Sequence, residues 1–231
     1  MGRDKLPVVE IFSSIQGEGP YQGRSGLFLR LGTCNLRCAF CDTAYALHPS
    51  KKWQYLSKAE LLNLLLKKYS HKLRHLIITG GEPMLFEKLL FEAIRPLHQR
   101  IELLEIETNG TIKPMYFQKL PNIVFNVSPK LSNSKMPYKK RIIEDALSFY
   151  SNLENAFFKF VIKDEEDLKE VLDIKERFFI PNNKVFLMPL GKTKKELRQN
   201  APGVFQLAKT HDFNYSCRIQ IEIFGGRRHG V

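Results

Sequence analysis

The sequence predicts an α/β fold, a mostly parallel sheet with helices packed against it, as an open sheet or a partial barrel. Three observations carry that reading. Short apolar runs of strand length recur along the chain, each bounded by turn formers. Stretches with helical spacing lie between several of them, and the order strand, helix, strand repeats. No internal repeat, low-complexity segment or linker interrupts the pattern, and 231 residues with 43% hydrophobic content can bury a sizeable core, so one domain over 1–231 is expected.

Taken in order, the first strand-like run is GLFLRL (26–31). A helix is expected from Ser57 in SKAELLNLLLKKY, where Ser57 and Glu60 form a capping-box pair, and the strand HLIIT (75–79) follows. Pro83 suits the first position of the next helix, PMLFEKLLFEAIRPL. IELLEIET (101–108), NIVFNV (122–127) and AFFKFVI (156–162) are the following strands. DEEDLKEVLDIKERF from Asp164 reads as a helix, KVFLMPL (184–190) as a strand and TKKELRQNAPGVFQLAKT from Thr193 as a helix. The alternation in RIQIEIF (218–224) reads as a last strand.

Composition removes some functions. No run of about 18 apolar residues is present, so no membrane span is expected. The opening MGRDKLPVVEIF lacks the apolar core of a secretory signal, so a cytoplasmic setting is expected, where clustered cysteines more often mean metal or catalysis than disulfides. The formal charge of +12 is spread over small groups, HPSKK, KMPYKKR, GKTKK and GGRRHG. That is the pattern of a solvated positive surface rather than an RNA-binding stripe, so no direct nucleic-acid partner is expected; a basic rim would still attract an anionic substrate.

In such sheets functional residues gather on the loops at the carboxyl edge. Four successive strand ends here carry polar or glycine-rich loops: the cysteine segment, Gly80-Gly81-Glu82-Pro83, Thr108-Asn109-Gly110 and Ser128-Pro129-Lys130. GTCNLRCAFCDTAYA (32–46) holds Cys34, Cys38 and Cys41 in C-x3-C-x2-C spacing. A structural zinc wants four ligands, and only His48 stands near as a fourth, with Cys217 far along the chain. Three packed or free thiols fit poorly with Asn35, Arg37 and Asp42 in the same loop. Iron and sulfur fit better, because a four-iron cluster on three thiolates leaves one iron open to an outside ligand.

C-x3-C-x2-C with Phe40 before its last cysteine, followed by the TGGEP of residues 79–83, resembles the signature of radical S-adenosylmethionine enzymes. EIFSSIQGEGPYQGRSGLFLRLGTCNLRCAFCDTAYAL, SPK (128–130) and the ending FGGRRHGV narrow the resemblance to the 7-carboxy-7-deazaguanine synthase family, over nearly the whole chain. The resemblance implies a partial TIM-like barrel with helices outside. It also implies a [4Fe-4S] cluster, S-adenosylmethionine and magnesium, and conversion of 6-carboxy-5,6,7,8-tetrahydropterin to 7-carboxy-7-deazaguanine with loss of ammonia, on the route to queuosine. A homodimer fed by a reducing protein such as a flavodoxin or ferredoxin is expected by the same analogy.

Carried over by residue, Cys34, Cys38 and Cys41 hold the cluster. Phe40, Cys41 and Asp42, with Gly81, Ser128, Pro129 and Lys130, contact S-adenosylmethionine. Ile15, Gln16 and Gly17 meet the pterin, Arg30 pairs with its carboxylate, Thr79 hydrogen-bonds it, and Thr43 takes magnesium. Each has a plainer rival: Arg30 reaching a surface carboxylate, Thr79 an ordinary strand end, Thr43 the cap of a turn. Glu18 and Glu82 read as ligand contacts or as braces of their own loops, and Cys217 as a small buried hydrophobe. Arg227, Arg228 and Val231 close over the pocket or form an exposed tail. Two other functions compete, a radical-generating activase of a partner protein and a non-catalytic metal module that binds RNA.

Overall fold

The computed structural model describes residues 4–68 and 74–225, in which nine strands pair into one sheet. The chain opens with β1 (Leu6–Ile15), absent from the strands expected above because EIFSSI breaks the apolar alternation. It forms an antiparallel pair with β2 (Ser25–Leu31), bulged between Val8 and Glu10, and that bulge sets Glu10 opposite Arg30. A short β3 (Gln54–Leu56) pairs with the other side of β1. Then come α1 (Lys58–Lys68), β4 (His75–Gly80), α2 (Glu87–Ile94), β5 (Leu103–Thr108) and β6 (Ile123–Val127). Two helices the periodicity did not disclose, α3 (Tyr138–Arg141) and α4 (Glu144–Ser151), lead to β7 (Ala156–Ile162). The rest is α5 (Glu165–Arg177), β8 (Val185–Pro189), α6 (Lys194–Thr210), β9 (Asn214–Tyr215) and α7 (Ile219–Phe224).

From β2 onward every pairing is parallel, in the order β3-β1-β2-β4-β5-β6-β7-β8-β9. The sheet is open among the described residues, with β3 and β9 at its edges, an architecture compatible with a partial barrel. Local signals explain several boundaries. Ser57 and Glu60 exchange hydrogen bonds at the start of α1, and Thr193 and Glu196 make a complete capping box on α6. Pro83 opens a 3-10 turn ahead of α2, and α2 gives way to 3-10 geometry at Arg95, next to Pro96.

RIQIEIF is not a strand. Residues 219–224 form α7; Arg218, just ahead of it, and Ile221 within it are buried while Ile223 is 63% exposed. A spacing of three, not two, brings the buried pair to one side, and the Ile219 N–H donates to the Gly17 carbonyl at 3.2 Å, so tertiary contact overrides the strand preference of three isoleucines.

The two faces of the parallel strands differ. Leu76 and Ile78, Leu104 and Ile106, and Phe158 and Phe160 belong to one hydrophobic core with side chains of α2, α4, α5 and α6. Residues adjacent to them in the strands, Thr79, Glu107 and Lys159, line a cavity of about 620 Å³. Burying one large apolar side chain of the helix-facing set contributes about 1.5–3 kcal/mol, so that face carries the stability and leaves the other for polar chemistry. No helix among the described residues is long and apolar enough to cross a membrane.

Candidate active site

The cysteine loop leaves β2 through Thr33, whose φ of +73° lies in the left-handed region that a β-branched residue rarely adopts. Its neighbours hold it there. The Gly81 and Glu82 N–H groups donate to the Leu31 and Thr33 carbonyls at 3.0 and 2.9 Å. A Cβ on Gly81 would lie 1.9 Å from the Thr33 oxygen, so the glycine serves a close approach of two loops of this chain. Glu82, fully buried, accepts from Met84 N (3.0 Å), Thr108 Oγ1 (2.8 Å) and Asn109 N (2.7 Å). Burial pushes its pKa up against those three bonds. Glu82 therefore braces the loops after β4 and β5. Asn109, on the polar loop after β5, donates Nδ2–H to Asn35 Oδ1 at 2.8 Å, and Asn35 donates to Thr111 Oγ1 at 2.7 Å. The far side of the loop is pinned by the Ala39 N–H on the Ser134 carbonyl at 3.0 Å.

Cys34, Cys38 and Cys41 are free, half-buried thiols on the cavity lining. Burial pushes the pKa of each up, and Lys130 opposes the shift at all three. Among the described residues no three His, Cys, Asp or Glu side chains converge as a single metal ion requires. Three soft donors on one loop, facing a cavity large enough for further ligands, suit a multi-iron cluster instead. His48 is exposed and stands outside the cavity lining, so it makes no fourth ligand.

Below the thiols lies a buried charge network of which sequence reasoning singled out Gln16, Glu18 and Asp42 but not Glu105, Glu107, Lys159 or Arg218. Glu18 accepts from Lys159 Nζ (2.6 Å), Gln220 Nε2 (2.6 Å) and Arg218 Nε (3.2 Å). Lys159 also reaches Glu107 Oε2 at 2.9 Å, while Arg218 donates to Asp42 and to the Gly191 carbonyl. Burial works against the Glu18 charge, yet Lys159 and Arg218 together hold its pKa well below the carboxylate range. Burial pushes the Glu107 pKa up, and the neighbouring charges of Glu105 and Glu18 add to that rise while Lys159 opposes it. The two carboxylates sharing one ammonium thus have different proton affinities. Deeper still, fully buried Glu105 accepts from Gln16 Nε2 at 2.6 Å and from Asn126, and meets His75 Nε2 at 2.7 Å. The signal for this network was a charged residue inside each apolar strand run, Glu105 and Glu107 in β5 and Lys159 in β7.

Most residues expected at the site line this cavity: Ile15, Gln16 and Gly17, Arg30 and Thr79, Phe40 to Thr43, Gly81, Ser128 and Lys130. Pro129 is buried beside them and is not part of the lining. Arg30 donates Nε–H to Glu10 Oε1 at 2.7 Å, and Tyr45 donates to the same oxygen at 3.0 Å. That carboxylate is on the neighbouring strand within the wall, and it fixes the guanidinium. The Gln16 amide turns inward to Glu105 and Glu107, and its backbone N–H and carbonyl pair with Arg24 and Gly23. Thr43 precedes a 3-10 turn without capping it through its side chain; its hydroxyl donates to Asp42 at 2.9 Å. Lys130 donates to Ser128 Oγ at 2.8 Å, and Arg141 holds the Lys130 carbonyl at 2.8 Å. Cys217 is half-buried rather than buried, in a loop ahead of α7, and its sulfur accepts a hydrogen bond from Gln22. Arg227, Arg228 and Val231 lie outside the described residues.

A cluster-binding loop of three thiols over a polar cavity, at the carboxyl edge of a parallel sheet, places the chain in the radical SAM superfamily, whose model matches residues 30–191. The superfamily's four-iron cluster and S-adenosylmethionine are accordingly the cofactors. Within it the chain belongs to the family of 7-carboxy-7-deazaguanine synthases. It is 31% identical to the synthase of Pyrobaculum aerophilum over 97% of both chains. It is 35% identical to that of Hyperthermus butylicus over 94% of this chain and 92% of the relative. The crystal structure of QueE from Escherichia coli superposes with a TM-score of 0.71 at 24% identity, covering 92% of this chain and 93% of that one, a likeness of fold.

Proposed function

We propose that this chain is a 7-carboxy-7-deazaguanine synthase, converting 6-carboxy-5,6,7,8-tetrahydropterin to 7-carboxy-7-deazaguanine with release of ammonia. The observation that carries the reading is one cavity lined at once by Cys34, Cys38 and Cys41, by Arg30 and by the Glu107–Lys159 pair. Cys34, Cys38 and Cys41 hold the cluster, and Phe40 to Asp42, Gly81 and Ser128 to Lys130 hold S-adenosylmethionine. When bound, these two cofactors supply the adenosyl radical that takes hydrogen from C6 of the pterin. The chain's own part is binding and orientation. Arg30, aimed by Glu10, pairs with the pterin carboxylate through its fork. Thr79, one strand over and in register with Arg30, adds a hydroxyl. Glu107 offers carboxylate oxygens to the N–H groups of the pyrimidine edge, and Ile15 to Gly17 close the wall beside it.

Magnesium at Thr43, a homodimer, a cytoplasmic setting and a single domain over 1–231 complete the reading. Thr43 would have to exchange its bond to Asp42 for the ion, which keeps few protein ligands. The near full-length match to synthases weighs against both the activase alternative and a non-catalytic metal module. The test is mass spectrometry of an anaerobic reaction of reconstituted protein with chemical reductant, magnesium, S-adenosylmethionine and the carboxytetrahydropterin. The deazapurine acid should appear. 5′-Deoxyadenosine without it would keep the radical chemistry and discard the substrate.

A further inference from the structure

Arg218 is 6% exposed, lines the cavity just ahead of α7, and turns each arm of its guanidinium to a different segment of the chain. Nε–H donates to Glu18 Oε1 at 3.2 Å, Nη1–H to the Gly191 carbonyl at 2.6 Å, and Nη2–H to Asp42. Glu18 follows Ile15 to Gly17, the wall assigned to the pterin. Asp42 follows Cys41 at the end of the cysteine loop, on the side assigned to S-adenosylmethionine. Gly191 fixes a third point, between β8 and α6. Among the described residues no hydrogen bond passes directly between residues 15–18 and residues 34–43, and Arg218 is the one side chain that bonds to both segments.

The surrounding contacts leave this tie little slack. The Ile219 N–H donates to the Gly17 carbonyl at 3.2 Å, and the Gly19 N–H donates to the Oγ of fully buried Ser216 at 2.8 Å. Lys159 holds the other oxygen of Glu18 at 2.6 Å from β7. A Cβ on Gly17 would lie 1.9 Å from Gln220 Oε1, so the glycine lets the start of α7 close on the substrate wall. A planar fork with fixed donor directions passes a displacement of one carboxylate on to the other, which a lysine, a point charge on a flexible stem, does not. We propose that Arg218 is a positioning residue that couples the two ligand sites, acting through Glu18 and Asp42 rather than on either ligand. The proposal rests on the functional reading above. A ligand that fixes one segment leaves less ordering for the second ligand to impose, so each tightens the other by the same factor. S-adenosylmethionine then reaches its cleavable position chiefly when the pterin is in place, and a radical without a substrate is avoided.

The test measures binding, with the full chain carrying its reconstituted cluster, under anaerobic conditions and without reductant. Equilibrium dialysis of labelled S-adenosylmethionine, with and without saturating carboxytetrahydropterin, gives the coupling factor, and pterin binding with and without S-adenosylmethionine must give the same number. The wild type should show a factor within the range of about 5–150-fold. Arg218→Lys keeps the charge and loses the fork, and its factor should fall severalfold, toward one. In reduced enzyme this variant should release more 5′-deoxyadenosine per deazapurine formed. Asp42→Asn, which slackens a single arm and leaves Arg218 on Glu18, should give an intermediate factor, and it carries the test if Arg218→Lys does not fold. Ser57→Ala loses the cap of α1 away from the cavity; as the control for plain loss of stability it should keep the wild-type factor. A wild-type factor in the Arg218 and Asp42 variants, whatever their affinities or melting temperatures, overturns the proposal. So does a wild type in which the two ligands bind independently. A wild type that binds S-adenosylmethionine but not the pterin refutes the functional reading, and the proposal falls with it.

Discussion

Glu18 is held by an ammonium, a guanidinium and an amide, and its charge is the hinge of the buried network. Replacing it with Gln leaves Lys159 and Arg218 short of a counter-charge, which costs on the order of 3–5 kcal/mol for a buried pair. Because its folded pKa is depressed, the Glu18 contribution is fully present above the ordinary carboxylate pKa of about 4.3 and declines only as pH falls below it. Melting curves of wild type and Glu18→Gln should therefore stay a constant distance apart from pH 6 to 8 and converge below about pH 4. A gap that persists in acid would mean a steric effect. Arg30 makes a different claim. Arg30→Ala should raise the KM for pterin roughly 10–100-fold, the worth of about 1.5–3 kcal/mol of charged hydrogen bonding, with reductive cleavage of S-adenosylmethionine retained. An unchanged KM would leave Arg30 as a partner of Glu10 alone.

The elements were legible where one signal dominated. Thr193 and Glu196 announce α6, and the capping box is present; Thr193→Ala should cost about 1 kcal/mol and lower the melting temperature by about 2–4 °C in calorimetry. RIQIEIF misled because alternation was its sole signal, whereas its partners, the Gly17 carbonyl and Glu18, are some 200 residues away in sequence and invisible to a local window. β1 was missed for the converse reason: its polar half is explained by Glu10 facing Arg30, a pairing that exists only across the hairpin. The cysteine loop was read from its motif, but its support was not. Gly81→Ala would drive a methyl into the Thr33 carbonyl and push the loop out of place. Iron and sulfide bound per chain after reconstitution should fall severalfold; full loading would show that the loop can give way.

The whole molecule divides labour between the two faces of one sheet. Phe158, fully buried on the helix-facing side, serves stability, and Phe158→Ala should cost about 3–5 kcal/mol in urea unfolding. Lys159 is the next residue and serves the cavity, a division that a strand buried on both faces conceals, since both look equally interior. For that reason the parallel fold and the thiol site could be read from sequence, while the charged floor showed only as single charges in the runs of β5 and β7 whose partners lie far along the chain. The floor has a further consequence for how the protein is made. Glu18 waits for Lys159, 141 positions later, and for Arg218 and Gln220, 200 and 202 positions later. At roughly 5–20 residues per second, ribosomal synthesis exposes the three cysteines about 10–35 s before Arg218 is added. The nascent chain carries its thiols well before α7 closes the charged floor of their cavity, so that cavity is complete only once synthesis has passed Gln220.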